Sequence, residues 1–277
     1  MIDPFRYDYL QEAPHKRLIR VSPMQVQLIR HATLFVHING VKLLVDPMLS
    51  PKGSMEPVSN AGNHIRIPMV DLPISETQVQ TLVQTADAIL VTHLHRDHWD
   101  EAATQLIPKQ TPVFCQPGDE NQIREKGFTV VEPVIDCLDW QGIQIYRTGG
   151  QHGTGEIGQK MGKVSGFVLK KPGVPKLYIA GDTIWCDEVQ LALEKHRPVV
   201  VVFNAGTAQF MSGDPITMTA ADVKQVHQAA PKAKLVAVHM DTINHCRLSR
   251  QELKNFIRQE NVAQKIYIPN DGEILSF

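Results

Sequence analysis

The chain has 277 residues, 43% of them hydrophobic, with 28 Lys and Arg against 29 Asp and Glu for a formal net charge of −1. That length can bury a substantial core and suits one α/β domain, and the composition excludes a disordered or fibrous protein. Near-neutral charge without a Lys/Arg block gives no electrostatic basis for a nucleic acid partner, though one or two local cations would serve a small anionic substrate.

No apolar run reaches the roughly 18 residues of a membrane span, and the opening MIDPFRYDYLQEAPHKRL lacks the apolar core of a signal peptide. Cys115, Cys137, Cys186 and Cys246 form no CxxC pair and read as reduced thiols. A cytoplasmic protein is the expectation.

Residues 1–22 read as a polar surface lead to a single domain spanning 1–277. Residues 24–37 and 41–46 read as two strands joined at Asn39-Gly40, both of which tolerate positive φ. Residues 48–70 are rich in Gly, Pro, Ser and Asn without a period, and a loop that long suggests an active-site rim. A helix at 75–85, a strand at 88–92 and a helix at 99–107 follow, the last ended by Pro108. Further strands are predicted at 112–115, 129–131, 143–148, 166–170 and 176–180. Strands at 199–203, 234–239 and 265–268 then alternate with helices at 219–229 and 250–261. Hairpins followed by strand–helix alternation suggest two mixed sheets face to face with helices outside.

The segment AILVTHLHRDHWD (88–100) runs from an apolar strand into His93, His95, Asp97 and His98. Imidazoles two apart on an extended loop can converge, and imidazole with carboxylate suits zinc and also manganese or iron. Later candidates each stand just past a predicted strand: His152 in TGGQHGTG, Asp182 in YIAGDTIW and His239 after KLVAV, with His245 as the rival of His239.

The pattern His93-x-His95-x-Asp97-His98, followed by His152, Asp182 and His239, closely resembles the metallo-β-lactamase superfamily over residues 24–268. IRHATLFVHINGVKLLVDP, VTHLHRDHWD and AGDT look most like the ascorbate-6-phosphate lactonase-like metal-dependent hydrolases. The resemblance implies a four-layer αββα sandwich with its site at one edge of the two sheets. It also implies two divalent metal ions, zinc first, one held by His93, His95 and His152 and the other by Asp97, His98 and His239, with Asp182 bridging. Asp182 stands where the zinc β-lactamases often carry Cys, which turns the expectation from antibiotic destruction to a housekeeping hydrolase.

Two such cations share a water whose pKa falls into the neutral range, and the resulting hydroxide attacks a carbonyl carbon or phosphorus. By resemblance Asp97 also carries a proton to the leaving group, and Asp46 holds a ligand from behind; Asp100 is a candidate for helix N-terminus support. His31, Asn204, His245 and Arg247 are candidate substrate contacts, and His64 and Arg66 are similar in kind, while Arg96 defaults to a solvated side chain. The expected substrate is a small anionic lactone or ester; a phosphodiesterase acting on a cyclic nucleotide or phospholipid-like diester, and a non-catalytic metal-binding scaffold, are the alternatives. Relatives of this branch form dimers and larger rings, so a homo-oligomer is compatible with the resemblance.

Overall fold

The computed structural model describes residues 23–277, so the lead expected at 1–22 lies outside the described residues. β1 (Met24–Arg30), β2 (Thr33–Ile38) and β3 (Val41–Val45) form an antiparallel meander. Asn39 and Gly40 turn the second hairpin at φ 45° and 89°, as its left-handed turn requires.

The single strand predicted for 24–37 is instead two, because the chain reverses at His31-Ala32 between the paired Arg30 and Thr33. No Gly or Asn advertises this turn; His31 itself takes φ 61°.

The chain then alternates: α1 (Glu76–Thr85), β4 (Ala88–Leu90), α2 (Glu101–Leu106), β5 (Val113–Cys115), α3 (Glu120–Glu125) and β6 (Val131–Pro133). The second half repeats the plan. β7 (Cys137–Trp140), β8 (Ile143–Thr148), α4 (Gly155–Met161), β9 (Gly166–Lys170) and β10 (Leu177–Ile179) supply an antiparallel set. α5 (Asp187–His196), β11 (Val200–Asn204), α6 (Ala220–Ala229), β12 (Lys234–Val238), α7 (Arg250–Gln259) and β13 (Ile266–Tyr267) extend it in parallel. β14 (Ile274–Ser276) returns to pair with β1. Two seven-stranded sheets result, ordered β14-β1-β2-β3-β4-β5-β6 and β13-β12-β11-β10-β9-β8-β7.

Side-chain alternation builds the layers. Val26, Leu28, Val36, Leu43, Leu90, Val202, Val236 and Val238 share the core between the sheets. On the opposite face of the first sheet Leu44 and Ile89 meet Val79, Val83 and Ala103 of α1 and α2. Val201, Phe203 and Leu235 meet Val189, Val223 and Leu253 of α5 to α7 on the far side of the second. The helices start at real caps: capping boxes at Ser75, Thr219 and Ser249, and Asp100, whose Oδ1 accepts from Ala103 N. The architecture is the expected αββα sandwich.

Candidate active site

β3, β4, β10, β11 and β12 end on one edge; Asn204 closes β11, and the turns that leave the others carry Asp46, the 93–98 segment, Asp182 and His239. The loop after β8 adds His152, and the β1–β2 turn adds His31. Three of these residues hold the left-handed region that non-glycine residues seldom enter: His31 at φ 61°, Asp46 at 44° and His239 at 69°. Such backbone concentrates where side chains must be aimed, and here the surrounding hydrogen bonds hold it.

The imidazoles of His93, His98, His152 and His239 each have one nitrogen held by a neighbouring group and the other turned to a common centre. His152 Nδ1 donates to Ile216 O at 2.8 Å, leaving Nε2 3.3 Å from His95 Nδ1. His98 Nδ1 lies 2.9 Å from Asp46 Oδ2, leaving Nε2 3.3 Å from His239 Nε2 and 3.3 Å from Asp182 Oδ2. His239 Nδ1 faces Cys246 Sγ at 3.7 Å. His93 Nδ1 touches Thr92 Oγ1 at 3.0 Å, while its Nε2 is buried without a hydrogen-bond partner. Asp182 sits among them all: Oδ2 is 3.5 Å from His152 Nε2 and 3.9 Å from His93 Nε2, and Oδ1 is 3.3 Å from His239 Nε2.

These donor spacings fit shared cations, since donors around one tetrahedral ion with bonds of about 2.1 Å stand about 3.4 Å apart. Donor atoms converge in three groups: His93 with His95 and His152; His31 with Asp97, His98 and His239; and His93 with His98 and Asp182. The orphaned Nε2 of buried His93 and the three carboxylates Asp46, Asp97 and Asp182 ask for positive charge at the centre.

Protonation shows the same demand. Burial presses His98 down, yet Asp182, Asp97 and Asp46 outweigh it and hold the imidazolium up to about 10. His239 is likewise raised well above its ordinary value, burial being overcome chiefly by Asp182. Asp97 and Asp182 are kept well below the usual carboxylate range despite burial, by His98 and His239 respectively in first place. Burial pushes His93 far down, and His98 beside it adds to the effect. Without metal, protons on His98 and His239 balance the carboxylates.

Beside this cluster lies a cavity of ≈ 340 Å³. His95, Asp97, His152 and Asp182 reach it on one side, and Val58, Met161, Phe210, Ile216 and His245 wall the other. The loop 48–70 is a rim through Val58, Ser59 and Asn60, as its composition suggests. Asn244 braces it, its Oδ1 accepting from Val58 N at 2.8 Å.

Several expected substrate contacts fall elsewhere. His31 is fully buried beneath the cluster, its Nε2 3.2 Å from Asp97 Oδ2. Asn204 Nδ2 donates to Asp182 Oδ1 at 2.6 Å and is not among the residues that line the cavity. Arg247 is spent on Phe210 O at 2.6 Å, so it props the wall from outside. Arg66 pairs with Glu56, and His64 is exposed; neither lines the cavity. His245 does line it, while His239 enters the donor cluster. Arg96 is exposed but lies on the cavity wall. Sequence reasoning passed over Thr92, whose N–H and hydroxyl donate to the two oxygens of Asp46 at 2.8 and 2.7 Å, and Cys246 behind His239.

Fold and site define a class, the metal-dependent hydrolases built on two facing sheets. The model of the Beta-lactamase superfamily domain matches residues 42–240, and the chain belongs to that superfamily. It is 38% identical over 257 residues to the UPF0173 protein YddR of Bacillus subtilis (strain 168), covering 92% of this chain and 100% of that one. Among solved structures, a possible metal-dependent hydrolase from Veillonella parvula DSM 2008 is 34% identical with a TM-score of 0.88, covering 93% of this chain and 100% of its own. The isothiocyanate hydrolase from Delia radicum gut bacteria is 37% identical with a TM-score of 0.87, covering 92% and 99%. No described helix is long and apolar enough to cross a membrane.

Proposed function

We propose that the chain is a binuclear hydrolase acting on a small electrophilic carbon that carries an apolar substituent, with isothiocyanates as the leading class. One observation carries the reading: the donor cluster opens into a cavity walled by Val58, Met161, Phe210 and Ile216, with Arg96 as its only guanidinium among the described residues. A neutral electrophile with a hydrophobic tail suits those walls, and the relative named an isothiocyanate hydrolase supports that choice.

His93, His95 and His152 would hold one ion, Asp97, His98 and His239 the other, with Asp182 between them. The all-nitrogen and carboxylate set suits zinc, with manganese or iron also compatible. When bound, such ions supply Lewis acidity towards the electrophile and bring a water near neutral pKa.

The chain's own residues do the rest. The apolar walls seat the substituent and exclude water from it. Asp97, ionised and 13% exposed at its side chain, faces the cavity and can take a proton from the attacking water. Water oxygen bonds to the central carbon of R–N=C=S, and a proton passes from Asp97 to nitrogen. The hydroxyl of the resulting R–NH–C(=S)OH gives its proton, the second from the water, to nitrogen by way of Asp97 as the C–N bond breaks, and R–NH2 and carbonyl sulfide leave, so one water is consumed per substrate. Burial lowers His245 to about 4, so a neutral ring on the wall faces the departing groups.

A small anionic lactone or ester, of the ascorbate-6-phosphate lactonase kind, is the second reading, favoured by Arg96 at the cavity. The test is turnover by metal-replete protein on alkyl and benzyl isothiocyanates, phosphorylated and neutral lactones, and phosphodiesters, with Asp182→Ala as control. Amine release from isothiocyanates that the variant abolishes supports the lead. Turnover confined to lactones moves the assignment to the second reading, turnover confined to phosphodiesters replaces both, and inertness towards all three points to a non-catalytic metal-binding scaffold.

A further inference from the structure

We propose that His31 is the positioning residue of the second metal site, holding Asp97 and His239 in place from the β1–β2 turn. This rests on the binuclear reading above. Three contacts made by one residue carry it. Its Nε2 lies 3.2 Å from Asp97 Oδ2. Its ring lies against that of His239, centroids 3.6 Å apart. Its carbonyl accepts the His239 backbone N–H at 2.9 Å.

His31 thus ties the first sheet's turn to the end of β12 on the second sheet, at the point where donors from both must converge. The cost is visible: a non-glycine residue at φ 61°, fully buried, with Nδ1 lacking any partner. A residue there only to turn the chain would be better served by Asn or Gly, which enter this region more easily.

The contacts distinguish positioning from ligation. With Nε2–H donating to Asp97, one carboxylate oxygen is fixed and only the weaker acceptor Nδ1 is left bare. Were Nε2 a metal donor, Nδ1 would carry a buried N–H with no acceptor. Partners of this kind orient a ligand, and their loss weakens metal binding by about 10- to 100-fold.

The test compares wild type, His31→Asn and His31→Gln, each stripped with chelator and titrated with zinc in competition with a chromophoric chelator, then loaded with cobalt(II) for its d–d spectrum. Asn suits the backbone but is too short to reach Asp97, whereas Gln replaces the N–H donor at about the imidazole's reach. The expected result is two ions in wild type, one of them bound about 10- to 100-fold more weakly in His31→Asn with the other unchanged. His31→Gln should regain near wild-type affinity and the wild-type cobalt spectrum.

Wild-type affinity at both sites in His31→Asn overturns the proposal. Equal loss in both variants, with a lower-coordinate cobalt spectrum, also overturns it and makes His31 a direct ligand. Should His31→Asn not fold, His31→Gln alone decides: two tight ions support the proposal and a lost ion refutes it. A wild type that takes up a single ion overturns the binuclear reading itself, and the proposal with it.

Discussion

Asp46 Oδ2 lies 2.9 Å from Nδ1 of His98, and this contact decides which nitrogen of His98 faces the centre. Thr92 fixes Asp46 in turn through its N–H and hydroxyl, so the orientation of His98 is set two residues deep. Asp46→Asn can keep a hydrogen bond yet reverse its sense, and Asp46→Ala removes it. We expect metal affinity to fall by about 10- to 100-fold in Asp46→Ala, read by chelator competition. Affinity equal to wild type would show that His98 needs no such partner.

Asp182 differs from the other donors because it meets His93, His98, His152 and His239 at once. Asp182→Ala should therefore lower the occupancy of both ions together, whereas His95→Ala should lower one. Metal analysis after dialysis against limiting zinc distinguishes the two patterns. Activity should fall at least about 100-fold in Asp182→Ala, since losing a donor exceeds losing its outer partner.

The cluster's protons give a pH signature. His98, near 10, and His239, also raised, stabilise the metal-free fold fully below their unfolded value of 6.5 and lose that contribution as pH climbs through the folded values. His31 at about 3, His245 at about 4, and His93 and His152, both lowered by burial, act oppositely: their contribution is present above 6.5 and is lost as pH falls. Metal-free protein should therefore melt highest near pH 6.5. On the proposed ligation, metal displaces the protons of His98 and His239, so its stabilisation should grow with pH. The rise in Tm on adding zinc should be larger at pH 8 than at pH 6, by about 5 °C or more. Thermal melts across that range check this, and a gain that shrinks with pH would contradict it.

Gly206 tests the packing behind His239. A Cβ there would stand 2.2 Å from His239 O, 2.9 Å from Cys246 Sγ and 3.2 Å from His239 Nδ1. The first contact is backbone and cannot swing aside. Gly206→Ala should cost about 1–3 kcal/mol of stability and weaken metal binding as His239 shifts. Denaturant melts with and without zinc would report both effects.

Phe210 tests the cavity. It forms one wall, its carbonyl held by Arg247. Phe210→Ala should raise KM for benzyl substrates by about 10-fold or more while changing methyl substrates little, given about 1–3 kcal/mol for lost apolar contact. Equal effects on both would remove Phe210 from substrate binding.

Much of the molecule was legible because its signals are local. Strands such as Ile143–Thr148 and Gly166–Lys170 carry their period and length openly, and the 93–98 segment packs four candidate donors into one turn. Short elements with mixed polarity were missed: β7 reads CLDW with no apolar run, and α4 lies among glycines at positions 153, 155, 158 and 162. α5 and β14 were missed as well, the first a polar helix and the second a three-residue edge strand. The roles of His31 and Asn204 could not be read because they depend on which way a turn points its side chain. A strand-end Asn looks alike whether it meets a substrate or, as here, Asp182 Oδ1. Arg30 is the extreme case: a fully buried guanidinium donating to the carbonyls of Met48, Ser50 and Val70, which nothing in QLIRHAT announces. It secures the long loop beside the site.

The measurement that bears most directly on the central claim is an anomalous difference map from crystals of the zinc-loaded protein, recorded on both sides of the zinc edge. Two peaks flanking Asp182 are expected, one against His93, His95 and His152 and the other against Asp97, His98 and His239. A single peak, or peaks away from Asp182, would contradict the binuclear centre on which the proposed hydrolysis rests.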